Sequence, residues 1–165
     1  MTDDPTATVI RPARIDDLPA ILDMLSRDSL RERSEDPGPP IPKAYLDAFA
    51  ELTRDPNNQL LVAELAGRVV GTFQLTFIRH LMYRGALMAQ IEAVRVDTAL
   101  RSRGIGARMM TWAIDEARRR GAARIQLTTN KERKAAHRFY ARLGFVASHE
   151  GMKLSLSGSS GALEH

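Results

Sequence analysis

The sequence predicts one α/β domain, a mixed sheet with helices packed on it, and three observations lead there. Its 165 residues, 44% hydrophobic and 27% charged, suffice for one sizeable core but hardly for two. Strand-like runs of period two alternate with helix-like runs of period 3.6 along most of the chain. At RSRGIGAR, residues 101–108, the strand-like QIEAVRV passes into the helix-like MMTWAIDEARRR through two glycines and three arginines.

The elements follow in order. Residues 8–11 read as a short strand stopped by Pro12. Asp16 or Asp17 can cap a helix whose apolar positions Leu18, Ile21, Leu22 and Leu25 recur at helical spacing. SEDPGPPIP, residues 34–42, is a Pro/Gly-rich loop, and residues 43–53 read as a second helix that ends at the breaker DPNN. QLLVAEL and VVGTFQLTFI read as two strands of a hairpin turning at Ala66-Gly67-Arg68, and after a loop at residues 79–85 comes a strand over residues 88–96. The helix from Gly104 to about Arg120 buries Ile105, Met109, Met110, Ala113 and Ala117 on one side, and Gly121 can end it in a left-handed conformation. The strand RIQLTT, a helix over residues 131–143 and the strands GFVAS and MKLSL complete the pattern. Residues 1–156 therefore form the expected domain. Residues 157–165 read as a flexible tail whose last three residues, LEH, look like a cloning remnant.

Composition removes several classes of function. With no cysteine, the chain has no disulfide, no thiolate metal site and no Cys acyl-enzyme. The histidines, His80, His137 and His149 among them, show no metal-ligand spacing, so no metal is expected. No run reaches the ~18 apolar residues of a membrane span, and MTDDPTATVIRP is not a secretion signal. The expected setting is cytoplasmic, with no membrane partner. The net charge of +4 is unevenly spread, because residues 95–142 hold 13 Lys/Arg against four Asp/Glu. That local excess suits a polyanion, either nucleic acid or a phosphate-rich cofactor. Stacking of bases needs aromatics between the basic residues, and the segment offers only Trp112, Phe139 and Tyr140. Nucleic acid is accordingly the weakest of the readings.

The glycine-arginine junction favours a phosphate. Gly104 and Gly106 let backbone approach a ligand closely, and the unpaired amides of a helix's first turn, at the positive end of its dipole, form an anion site. The chain has no G-x-x-x-x-G-K-[ST], and a dinucleotide fingerprint needs G-x-G-x-x-G and a later acid where this chain has Gln126. What remains is Arg-x-x-Gly-x-Gly.

That pattern, Arg101, Gly104 and Gly106 between a strand and a helix, resembles the [QR]-x-x-G-x-[GA] pyrophosphate loop of the GNAT superfamily of acyl-CoA-dependent N-acyltransferases. AHRFYARLGF resembles the family's later A-x-x-[FL]-Y-x-x-x-G-F helix through Ala136, Phe139, Tyr140, Gly144 and Phe145, and IRPARIDD is similar to its usual opening. Two motifs in order are far more specific than either alone. The resemblance implies a sheet flanked by helices on both faces, with central strands splayed to make a cofactor slot. It also implies that backbone at Arg101, Ser102, Arg103, Gly104, Ile105, Gly106 and Ala107 holds the pyrophosphate of acetyl-CoA, with charge from Arg101, Arg103 and Arg108. Val94 and Val96 would pair with the pantetheine arm as with another strand. Many members place an asparagine seven residues before the tyrosine; that position is Arg133 here, and Asn130 is the candidate to replace it near the cofactor.

The chemistry then has three parts. An amine with a pKa near ~10 is mostly protonated at neutral pH and must lose a proton before it attacks. Glu92, on the same strand as the cofactor contacts, is the candidate base, directly or through a water. Negative charge developing on the thioester oxygen can be met by a backbone amide, with Val94 the candidate. Tyr140 matches the family residue that returns a proton to the departing thiolate. Without cysteine, direct transfer in a ternary complex is expected. A compact domain favours a small-molecule amine, with a protein lysine or N-terminus and a non-catalytic acyl-CoA sensor as alternatives, and a homodimer is left open. The loops at residues 29–42 and 79–85, with Glu32, Glu35, Asp36 and Tyr83, are the candidate cover of the acceptor pocket.

Overall fold

The Ala66-Gly67 turn has positive φ at both central residues, 49° and 78°, as a two-residue hairpin with the twist of its strands requires. It joins β2 (Asn58–Leu65) to β3 (Arg68–Arg79), and these are flanked by β1 (Val9–Pro12), β4 (Leu87–Val96) and β5 (Ala122–Leu127). A computed structural model describes residues 7–27, 38–154 and 156. Its single sheet runs β1-β2-β3-β4-β5. The first four strands are antiparallel neighbours, whereas β4 and β5 are parallel and therefore need a crossover, supplied by helix α4 (Ile105–Arg119).

Helices cover both faces, as expected. All five apolar positions predicted for α4 are buried, in one cluster with Phe73, Leu75 and Ile91. Helix α1 (Leu18–Ser26) packs on β3 and β4 through Leu18, Ile21 and Leu22, on the side of the pleat that carries Val62 and Thr72. Helix α2 (Lys43–Arg54) lies against β2. Asp17 stands at the N-cap position of α1, but its side chain makes no capping hydrogen bond to that helix and turns back along the chain instead. Its carboxylate accepts the Arg14 amide at 2.7 Å and both ends of the Arg11 guanidinium, at 2.7 and 3.0 Å, while Arg11 Nε reaches Glu64 at 2.6 Å. Arg11 holds the Asp17 carboxyl below its ordinary range despite burial, and this pair fastens β1 to β2 and to the entry of α1.

Several expectations shift. The fifth strand starts two residues earlier than RIQLTT and ends at Leu127. Helix α5 (Lys134–Arg142) starts after residue 131, because the Asn130 side chain accepts the Glu132 amide at 2.8 Å and holds residues 131–133 in a turn. The loop at residues 79–85 contains the one-turn helix α3 (Met82–Gly85), with Tyr83 and Arg84 at positive φ. GFVAS and the described part of MKLSL form no strand. Gly144, at φ 91°, turns the chain so that the Phe145 amide folds back on the Tyr140 carbonyl at 3.1 Å, and Ser148 bonds to Val146. These bonds are local turns, and no ladder forms with β5 among the described residues. Glu32, Glu35 and Asp36, most of the loop at residues 29–42, and the tail at residues 157–165 lie outside the described residues.

Candidate active site

The site begins at a fault in β4. Its ladder with β3 pairs Glu92 with Gln74 and Arg95 with Thr72, so that Phe73 stands opposite both Ala93 and Val94. The extra residue is a bulge, and Ala93 has φ 54° there. On its other side β4 follows β5 only as far as Ile91 opposite Leu127. From Glu92 to Val96 no strand flanks β4 on that side among the described residues. Val94 and Val96 are half-buried in this stretch and pack against the core cluster, and Glu92 is exposed.

Beyond Val96 the chain makes a tight turn into α4. The Asp97 carboxylate accepts the Ala99 amide at 3.0 Å, and the buried Leu100 pins the turn to the core. Ser102 has φ 63°, and Gly104, at φ 83° and ψ −7°, is the left-handed residue that opens the helix. The first helical bond runs from the Arg108 amide to the Gly104 carbonyl at 3.0 Å. The amides of Ile105, Gly106 and Ala107 precede it, at the positive end of the helix dipole, and the exposed Arg101, Ser102 and Arg103 lie just before them in the chain. Arg108 serves elsewhere, because its Nε donates to the Thr8 carbonyl at 2.6 Å and ties α4 to the start of β1. A cleft of about 360 Å³ opens beside Arg101, between α1 and the start of β3, with Val96 in its wall.

Tyr140 approaches from the next helix. A methyl group on Gly106 would lie 3.5 Å from the Phe139 ring and 3.7 Å from Val96, so the first turn of α4, the end of β4 and α5 meet at that point. Tyr140 packs edge-on against Phe139 and Phe145, with ring centroids 5.1 and 5.8 Å away. Burial pushes its hydroxyl above the ordinary tyrosine range, and the positive charges of Arg95 and Arg133 pull it partly back. Tyr140 is half-buried and feels the charge of both arginines. Asn130 uses its side-chain oxygen on Glu132 and its carbonyl on His137 Nε2, at 3.0 Å.

Counting along β4 with period two sets Glu92 and Arg95 on opposite faces. The bulge reverses this, since their partners Gln74 and Thr72 lie two residues apart on β3 and so share a face. Arg95 is therefore a further candidate residue on the Glu92 face, one that sequence reasoning misses. Gln90 donates to Glu92 and Gln126 to Gln90, a line of hydrogen bonds across β4 and β5 that the sequence also does not reveal.

The family model of the GNAT acetyltransferases matches residues 21–145. The chain belongs to that family. Its relatives include the aminoalkylphosphonate N-acetyltransferase of Salmonella typhimurium, 37% identical over 107 residues, 65% of this chain and 69% of that protein. Glucosamine 6-phosphate N-acetyltransferase 1 of Oryza sativa is 32% identical over 122 residues, 72% of each. Among solved structures, a Bacillus halodurans protein described as a transcriptional regulator is 44% identical, with a TM-score of 0.86 over 90% of this chain and 99% of that one. A putative acetyltransferase from Agrobacterium tumefaciens has 26% identity and a TM-score of 0.78, over 89% of this chain and 99% of that one. This GNAT chain is thus an N-acetyltransferase by descent, and none of the helices described in it is long and apolar enough to cross a membrane.

Proposed function

We propose that this protein transfers an acetyl group from acetyl-CoA to the primary amine of a small molecule, by direct attack in a ternary complex. The observation that carries the reading is the coincidence of the bulged, one-sided stretch of β4 with the amide-rich entrance to α4. Residues 101–107 suit a diphosphate, since Gly104 opens α4 in a left-handed conformation, three successive amides precede the first helical bond, and Arg101 and Arg103 are exposed just before them. Val94 and Val96 suit an extended amide-bearing arm, which completes the unpaired edge of the strand. When bound there, acetyl-CoA supplies an activated acyl thioester.

The protein's own groups do the rest. The Glu92 carboxylate accepts a proton from the incoming ammonium, and the Val94 amide is the candidate donor to the oxygen that gains charge. Tyr140 keeps its proton at neutral pH because burial disfavours the phenolate, and gives it to the sulfur that leaves. Arg133, whose charge acts on Tyr140, and Asn130, in the turn ahead of α5, are the candidate cofactor contacts on this side. The two curated relatives named above act on amines that also carry a phosphonate or phosphate, which supports a small-molecule acceptor.

A second reading, an acyl-CoA sensor without turnover, is favoured by the Bacillus halodurans neighbour described as a regulator. Release of free thiol from acetyl-CoA, screened over alkylamines, aminophosphonates, amino sugars, aminoglycosides and peptides, separates the two. The cysteine-free protein adds no background. Thiol release with at least one small amine is the expected result, and tight CoA binding without release from any of them supports the sensor.

A further inference from the structure

The geometry points to Gln90 and Gln126 as positioning residues that aim Glu92, and to the sheet face they share as the seat of the acceptor amine. The inference rests on the transferase reading given above. Gln126 Nε2 donates to Gln90 Oε1 at 2.7 Å, and Gln90 Nε2 donates to Glu92 Oε1 at 2.8 Å. An ionised carboxylate only accepts, so Glu92 fixes which end of the Gln90 amide faces it. The Gln90 oxygen then faces away and must meet a donor, which Gln126 supplies. The polarity of the whole line is set by one charge.

The line crosses the two strands where they are still paired. Gln90 stands opposite Gln126 in the parallel register, and one pair further, at Ile91 and Leu127, the ladder ends. The brace is therefore anchored on the last regular part of the sheet and reaches Glu92 at the first residue beyond it. Held by Gln90 through Oε1, Glu92 keeps Oε2 for a ligand. Gln74, opposite Glu92 on β3, is turned to Asn58, at 3.0 Å, and to Thr76, at 3.3 Å, so a second polar group borders the same face without competing for the carboxylate. An ammonium entering over this face meets a carboxylate oxygen held at the mouth of the slot, with amide groups beside it for further polar contacts. A polar, compact amine fits that lining better than an apolar one.

A double-mutant cycle tests this, with 2-aminoethylphosphonate and glucosamine 6-phosphate as probes and thiol release as the readout. Gln90→Leu keeps the volume and removes both hydrogen bonds. It should lower kcat/KM for the amine by about 10-fold, the worth of one hydrogen bond to a charged group, with KM for acetyl-CoA unchanged. Gln126→Leu, at an exposed position that the fold tolerates, should have a smaller effect of the same kind. Because Gln126 acts only through Gln90, the double variant should match Gln90→Leu alone, whereas independent roles would multiply. Multiplying effects, an altered KM for acetyl-CoA, or an unchanged kcat/KM in Gln90→Leu would each overturn the inference. Glu92→Gln tells that failure from a failure of the underlying reading. If Glu92→Gln is strongly impaired while the glutamine variants are not, only the brace is wrong. Full activity in Glu92→Gln, or no thiol release from any amine by the wild type, overturns the base assignment or the transferase reading, and the brace with it.

Discussion

Gly104 and Gly106 occupy neighbouring places in one motif but should respond in opposite ways to the same substitution. Gly104 sits at φ 83°, where an L residue is strained by roughly 1–2 kcal/mol. Gly106 lies inside α4, and a methyl group there would find Phe139 at 3.5 Å and Val96 at 3.7 Å, ordinary contact distances with nothing to push aside. Gly106→Ala should therefore gain roughly 0.5–1 kcal/mol from the lost flexibility of the unfolded chain. For a domain of this size each kcal/mol moves Tm by about 2–4 °C. Thermal unfolding without ligand should thus show Gly104→Ala lower by about 2–8 °C and Gly106→Ala higher by about 1–4 °C. Titration calorimetry completes the test, because the strain at Gly104 is relieved by rotating the amides that follow it. CoA affinity should fall by about 10-fold or more in Gly104→Ala, the equivalent of ~1.4 kcal/mol, and change little in Gly106→Ala. Equal Tm values for the two variants would refute the left-handed turn, and equal CoA affinities would refute the link between that turn and phosphate binding.

Three further outcomes follow from the same geometry. Tyr140→Phe should cut turnover by ~10²–10⁴-fold with CoA affinity retained; and since burial holds the hydroxyl above its ordinary value, the wild-type rate should not decline from loss of that proton until the pH exceeds about 10. Asp17→Asn should lower stability at pH 7 by about 2 kcal/mol, since Asp17 is buried and bonded to Arg11. The folded-state pKa of Asp17 is depressed, so its contribution is present above the unfolded value of ~3.9 and is lost as pH falls through the folded one; urea unfolding at pH 7 and near pH 2 should show the wild type and the variant converging in acid. Gly71→Ala would set a methyl 2.7 Å from Met109 Sδ, 3.1 Å from the Arg95 carbonyl and 3.3 Å from Ala63 Cβ, and should cost ~1–3 kcal/mol, read as a drop in Tm.

The features legible in the sequence are those that local rules decide. The 3.6-residue pattern of α4 marks Ile105, Met109, Met110, Ala113 and Ala117, and all are buried because one face of that helix has only the sheet to pack against. Gly121 ends α4 near φ 74°, and the Ala66-Gly67 turn closes the hairpin for the same backbone reason. The misses depend on tertiary pairing. The alternation in MKLSL reads as a strand, yet Met152 and Leu154 remain exposed, because alternation supplies a face but not a ladder partner. The helix over residues 131–143 is read too long because the Asn130 turn competes with its first residues. Arg95 is missed as a neighbour of Glu92 and Tyr140 because an inserted residue at a bulge shifts the parity of everything after it.

On the proposed reading, the entrance to α4 and the edge of β4 left unpaired among the described residues together hold acetyl-CoA with its thioester beside Tyr140. A crystal structure of the complex with CoA tests it most directly. Diphosphate oxygens should lie within about 3 Å of the amides of Ile105, Gly106 and Ala107, and the pantetheine arm should extend along Val94 and Val96 with its sulfur near the Tyr140 hydroxyl. A diphosphate bound instead in the cleft between α1 and β3, or an arm lying anywhere other than along β4, would contradict it.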